Sequence, residues 1–174
     1  MIVRARGHQL VTRAVNDTLQ SRKAVVRYGW FRLDGSAREL KEAPVAIPAD
    51  GMIEVASEPL PPAAERDPSQ WLYAAVMRGK DIDDDQSIWL LAPQRELALV
   101  KPVFSTKVRP DGILEVASPV YCHAVHPADG SSQTLEDNYF DLLPGIPRQI
   151  RLTKPAPSGE YPLAAVLPIV ETKP

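Results

Sequence analysis

Proline spacing is the strongest constraint on what this chain can fold into. Eighteen prolines are scattered through 174 residues, at Pro44, Pro48, Pro59, Pro61, Pro62, Pro68, Pro93, Pro102, Pro110 and onward. Proline in a helix interior removes a hydrogen bond and costs about 3 kcal/mol. The intervals leave little room for long helices. Short strands separated by proline-marked turns fit the pattern.

The stretches between the prolines read as such strands. His8 to Val15 alternates in side, and Asn16-Asp17-Thr18 ends it, because Asn and Asp bond back to their own backbone in turns. Ala24 to Leu33 is a second strand, closed by Asp34-Gly35, a strong hairpin signal. Alternation places Phe31 and Leu33 toward a core and Tyr28 and Trp30 on the opposite side. Leu40 to Ile47 is bounded by proline and reads as a short edge strand. Met52 to Val55 follows, and Glu58 to Ser69 is a loop. Trp71 to Met77 is apolar on both faces and reads as a central strand. Asp81 to Asp85 is an acidic turn, and Ser87 to Leu91 closes a first sandwich.

Residues 93–100 form the joint, extended or a single helical turn. A second set of strands runs through Val103–Lys107, Ile113–Ala117, Val120–His126, Gln133–Leu143, Arg148–Leu152 and Tyr161–Val170. The expected architecture is all-β, with domains at 1–92 and 101–174. One octapeptide pattern recurs: Asp50-Gly-Met-Ile-Glu-Val-Ala-Ser57 and Asp111-Gly-Ile-Leu-Glu-Val-Ala-Ser118. Their flanks do not match, so the repetition reflects shared turn-then-strand chemistry, not a duplicated domain.

Twenty basic and 22 acidic residues give a formal net charge of −2. Neither sign dominates, so neither a nucleic acid nor an anionic membrane is an expected partner. No apolar run reaches the ~20 residues of a helical membrane span. Residues 1–4 lack the apolar core of a signal peptide, and cytoplasmic and periplasmic locations both stay open. The lone Cys122 can form no disulfide within the chain.

No constellation reads as catalytic, cofactor-binding or metal-binding. Asp137 and Asp141, read on one strand, would lie about 13 Å apart, too far to act together. Cys122, His123 and His126 suggest a metal cluster by composition only. On a regular strand Cys122 and His126 share a face while His123 points away. Asp81, Asp83, Asp84 and Asp85 begin like a calcium loop but lack its glycine and its closing glutamate. Asn16-Asp17-Thr18 fits the glycosylation sequon, yet the turn reading is preferred. Tyr28 and Trp30 are the candidates for contact with a sugar or a neighbouring domain, with burial or domain packing favoured over sugar.

The stretch Leu135-Glu-Asp-Asn-Tyr-Phe-Asp-Leu-Leu-Pro-Gly145 reads as a strand with Phe140 and Leu142 on one face, stopped by Pro144-Gly145. Asp137 to Gly145, followed by a strand at Arg148 to Leu152, resembles the last domain of β-mannosidases of glycoside hydrolase family 2. Weaker resemblances lie at Val15–Thr18, Phe31–Gly35 and Pro93–Pro102. The resemblance implies two consecutive immunoglobulin-like β-sandwiches. It also implies a non-catalytic accessory role beside a (β/α)₈ barrel that would carry the catalytic glutamates and that no stretch here encodes. A carbohydrate-binding module, or a free-standing pair of interaction domains, is the alternative.

Overall fold

A computed structural model describes residues 1–80, 82–128, 134–154, 159 and 161–166; for 82–84 it describes the backbone alone. Among these residues every regular element is a strand except one 3₁₀ turn at Gln94–Glu96 in the expected joint. The chain divides into two compact units. The first holds residues 1–31 and 38–94, and the second holds 32–37 and 95–174. The fold is all-β and immunoglobulin-like.

The first unit pairs strands β1 (Ile2–Arg6), β2 (Gln9–Asn16) and β5 (Gly51–Pro59) in one sheet. Its second sheet has the order β4 (Arg38–Ile47), β3 (Arg22–Arg32), β6 (Trp71–Gly79), β7 (Ile82–Leu90). Leu10, Ala14, Val26, Trp30, Ile47 and Tyr73 join the apolar cluster between them. β6 is central and buried from Leu72 to Met77, as its continuous apolar run predicts. β4 is the edge strand that Pro44 requires, although at ten residues it is not short.

Two readings change here. The acidic segment is not a turn: from Ile82 its backbone runs in β7, with Asp85 opposite Met77. Asp81 and the side chains of residues 82–84 lie outside the described residues, so the calcium-loop reading meets no geometry. On β3, Trp30 faces the apolar cluster, whereas alternation had assigned the core side to Phe31 and Leu33. Phe31 is buried as well: β3 alternates buried and exposed residues from Lys23 to Arg27 and is buried on both faces only near its end, from Gly29 to Phe31.

The second unit pairs β12 (Phe140–Leu142), β10 (Cys122–Pro127) and β14 (Leu163–Val166) in one sheet. β11 (Thr134–Leu135), β13 (Arg148–Lys154), β9 (Ile113–Ala117) and β8 (Ser105–Val108) form the other. Leu114, Val116, Val125, Phe140, Leu142 and Ile150 build its core. The stretch from Leu135 to Leu143 is not one strand. It breaks between β11 and β12, and Tyr139 turns to φ 61°. Phe140 and Leu142 are nevertheless buried together, and the corner at Gly145 takes φ 67°. The expected strands that reach Gln133 and residues 167–170 run outside the described residues.

The two similar octapeptides fold differently at their turns. In the first, Asp50 takes the left-handed conformation, at φ 44°. In the second, Gly112 takes it, at φ 79°.

Candidate functional site

The first unit carries an open cleft of ≈ 560 Å³, and both Tyr28 and Trp30 line it. Register explains the grouping. Tyr28 lies opposite Lys41 and Trp30 opposite Glu39, and directly paired residues of antiparallel strands share a face. Between them Gly29 sits opposite Leu40 at φ 145°. A Cβ on Gly29 would come within 2.0 Å of the Glu39 carbonyl oxygen, so glycine is needed for this close approach.

The far wall comes from the β5–β6 loop. A turn in which the Glu65 and Arg66 amides donate to the Pro62 carbonyl presents Arg66. Asp67 then ties the loop down by accepting from the Ser69 amide and hydroxyl and from the Gln70 side chain. The Arg66 guanidinium lies 4.8 Å from the Trp30 ring centre and 4.5 Å from that of Trp71. It donates to Glu39 at 2.6 Å. Trp30 meets Tyr73 edge to face at 5.1 Å. Trp30 is thus a buried core residue under a cation, while Tyr28 stays half-exposed in the cleft. Across the cleft Lys41 donates to Glu58 at 2.7 Å.

These pairings set the protonation states. The hydrogen bond from Arg66 holds the Glu39 carboxyl below its ordinary range. The bond to Glu58 pushes the Lys41 ammonium up. Burial pushes the Tyr73 phenol up to about 12, against the hydrogen bond it shares with Thr12. The cleft near neutral pH therefore presents fixed ion pairs and a neutral phenol. Replacing Arg66 by Ala is expected to destabilise the first unit by about 1–2 kcal/mol, since two stacked rings and an ion pair lose their cation. Arg66→Lys should recover less than half, because an ammonium cannot lie flat between two rings. Urea unfolding followed by tryptophan fluorescence measures both, as Trp30, Trp71 and Trp89 all lie in this unit.

The second unit separates the residues that composition grouped as a metal cluster. Ala124 takes φ 50°, and the pairing of β10 shifts register between Cys122 and Val125. This bulge turns Cys122 and Val125 both inward and leaves His123 and His126 half-exposed. The regular-strand parity, with Cys122 and His126 on one face, does not hold. Cys122 is buried, which pushes its thiol up. His123 bonds through Nδ1 to Asp141 at 2.9 Å, and His126 packs edge to face on Tyr139. Among the described residues no three His, Cys, Asp or Glu side chains are placed to hold a metal ion.

Asp137 and Asp141 likewise have separate partners. Arg148 donates to Asp137 at 2.6 Å. Asp141 accepts from the Tyr121 hydroxyl at 2.8 Å and from the Ala124 amide at 2.9 Å. Burial pushes the Tyr121 phenol well above its usual range, so it remains a donor. Sequence reasoning gave Asp141 no such role, because nothing local announces a bulge on the neighbouring strand. At the sequon, the Asn16 side-chain nitrogen is buried and donates to the Gln20 and Pro48 carbonyls, both at 2.8 Å. Asn16 is a turn residue.

The fold defines a pair of immunoglobulin-like β-sandwiches. Residues 99–166, which lie in the second unit, match the family model of the mannosidase Ig-fold domain. The structure of the β-D-mannosidase of Dictyoglomus thermophilum aligns with 94% of this chain at 23% identity and a TM-score of 0.76. The exo-chitosanase of Amycolatopsis orientalis aligns with 86% of it at 14% identity and a TM-score of 0.44. The chain spans about a fifth of the length of these proteins, 21% of the first and 23% of the second. No curated protein matches the sequence.

Proposed function

We propose that this chain is the non-catalytic accessory region of a β-mannosidase-like glycoside hydrolase of family 2, and that it buttresses a catalytic (β/α)₈ barrel elsewhere in the polypeptide. The observation that carries the reading is the mannosidase Ig-fold match over residues 99–166. The local chemistry supports it. A retaining glycosidase needs one carboxyl group that stays protonated beside a second that is ionised, about 5–5.5 Å away. Glu39 is instead held ionised by Arg66, Glu58 is paired with Lys41, and Asp137 and Asp141 have unrelated partners.

Two measurements test the reading. The 174-residue chain should not turn over aryl β-mannosides; turnover that survives repurification and vanishes in a single carboxylate variant would overturn it. An antibody raised against the chain should detect, in the source cells, a polypeptide several times heavier than 19.2 kDa that carries β-mannosidase activity. A native species of 19.2 kDa would equally sink it.

A further inference from the structure

We infer that the cleft of the first unit is a weak binding subsite for uncharged oligosaccharides, with Tyr28 as its stacking platform. The proposal goes beyond the accessory role and stands on the cleft alone. A volume of ≈ 560 Å³ lies within the range of small-ligand sites. Its ligand must match three features of the lining.

The first is the half-exposed Tyr28 ring, beside which the apolar C–H face of a pyranose can lie. Trp30 offers no such face, because Arg66 already stands over its ring. The second is the two ion pairs, Lys41 with Glu58 and Arg66 with Glu39. An ammonium has three donors and a guanidinium five, while each carboxylate has about four acceptor sites. One hydrogen bond within each pair leaves donors and acceptors side by side. A hydroxyl both donates and accepts, so a polyol satisfies such neighbours where a purely acidic or purely basic ligand does not. The third is charge. Glu39, Glu58 and Glu65 outnumber Lys41 and Arg66 along the wall, which disfavours uronates and sugar phosphates.

Affinity should be millimolar, since the cleft is open and a flexible sugar loses freedom on binding. The test is an amide NMR titration of the full chain with mannotriose, set beside a tri-uronate of similar size. Mannotriose is expected to shift the amides of residues 28–30, 39–41 and 58–66 saturably, and the tri-uronate to bind them more weakly. Tyr28→Ala should weaken binding roughly fivefold, the equivalent of one lost ring contact, and Tyr28→Phe should preserve it. If Tyr28→Ala does not fold, Lys41→Ala, on an exposed side chain, should produce the weakening. Shifts that are absent, that map elsewhere, that are as strong with the uronate, or that persist unchanged in the folded variant would overturn the proposal. The polypeptide-mass experiment reads the accessory role separately.

Discussion

Replacing Gly35 by alanine is expected to destabilise the second unit by about 3–5 kcal/mol, well above the ordinary effect of a surface turn substitution. Asp34 organises this turn by accepting from the Ser36 amide at 2.9 Å and the Ser36 hydroxyl at 2.6 Å. Gly35 has φ 75°, where an alanine costs about 1–2 kcal/mol by itself. The larger part comes from contact. A Cβ at Gly35 would stand 1.9 Å from the Pro119 carbonyl oxygen, a backbone atom that cannot step aside alone. Next to it the Tyr121 amide donates to the Leu33 carbonyl at 2.8 Å, so displacing the turn also strips the amide of a buried residue of its partner. Gly112→Ala is the matched control. Gly112 has φ 79° but nothing within 4 Å of a new Cβ, so only the conformational cost of about 1–2 kcal/mol should appear. Hydrogen exchange resolved by residue measures both. Equal losses in the two variants would mean that the close approach to Pro119 carries no energy.

The second large effect belongs to Phe140 and its neighbour. Phe140 is 5% exposed within the second core, and Arg148 lies over its ring at 5.1 Å. Phe140→Ala should cost about 3–5 kcal/mol. Asp141→Ala should cost about 2–3 kcal/mol, because it removes the carboxylate that accepts from both the Tyr121 hydroxyl and the Ala124 amide. Asp141→Asn should cost less, since its remaining carbonyl oxygen can keep one of those donors. Urea unfolding monitored by NMR of unit-two amides gives the order. An Asp141→Ala variant within about 0.5 kcal/mol of the parent would show that the bulge holds without its carboxylate.

The sequence disclosed most where a residue's own chemistry decides its backbone. Prolines excluded long helices, Asp34-Gly35 and Pro144-Gly145 marked turns, and the apolar run from Trp71 to Met77 marked a strand, which is buried from Leu72 to Met77. It disclosed least where geometry is imposed from a distance. Nothing in Cys122-His-Ala-Val125 signals that Ala124 leaves the strand conformation. Its amide is met by Asp141, 17 positions along the chain, and that contact reverses the inward and outward faces. The break before Phe140 and the extent of β7 were missed for the same reason, since both depend on pairing partners. At the cleft, alternation correctly put Tyr28 and Trp30 on one side. It could not show that Arg66, from a loop 36 residues beyond Trp30, would cover one ring and leave the other half-exposed.

The assignment of residues 32–37 to the second unit has a consequence for heredity and for protein engineering. A gene fragment that begins at residue 95 encodes strands β8 to β14, yet omits the Leu33 carbonyl that receives the Tyr121 amide. Such a fragment should be soluble only with difficulty and slow to reach a single state. Recombination that moved this sandwich without its predecessor would deliver an incomplete module. A chimaera that keeps this sandwich whole should therefore retain residues 32–37 as well as 95–174.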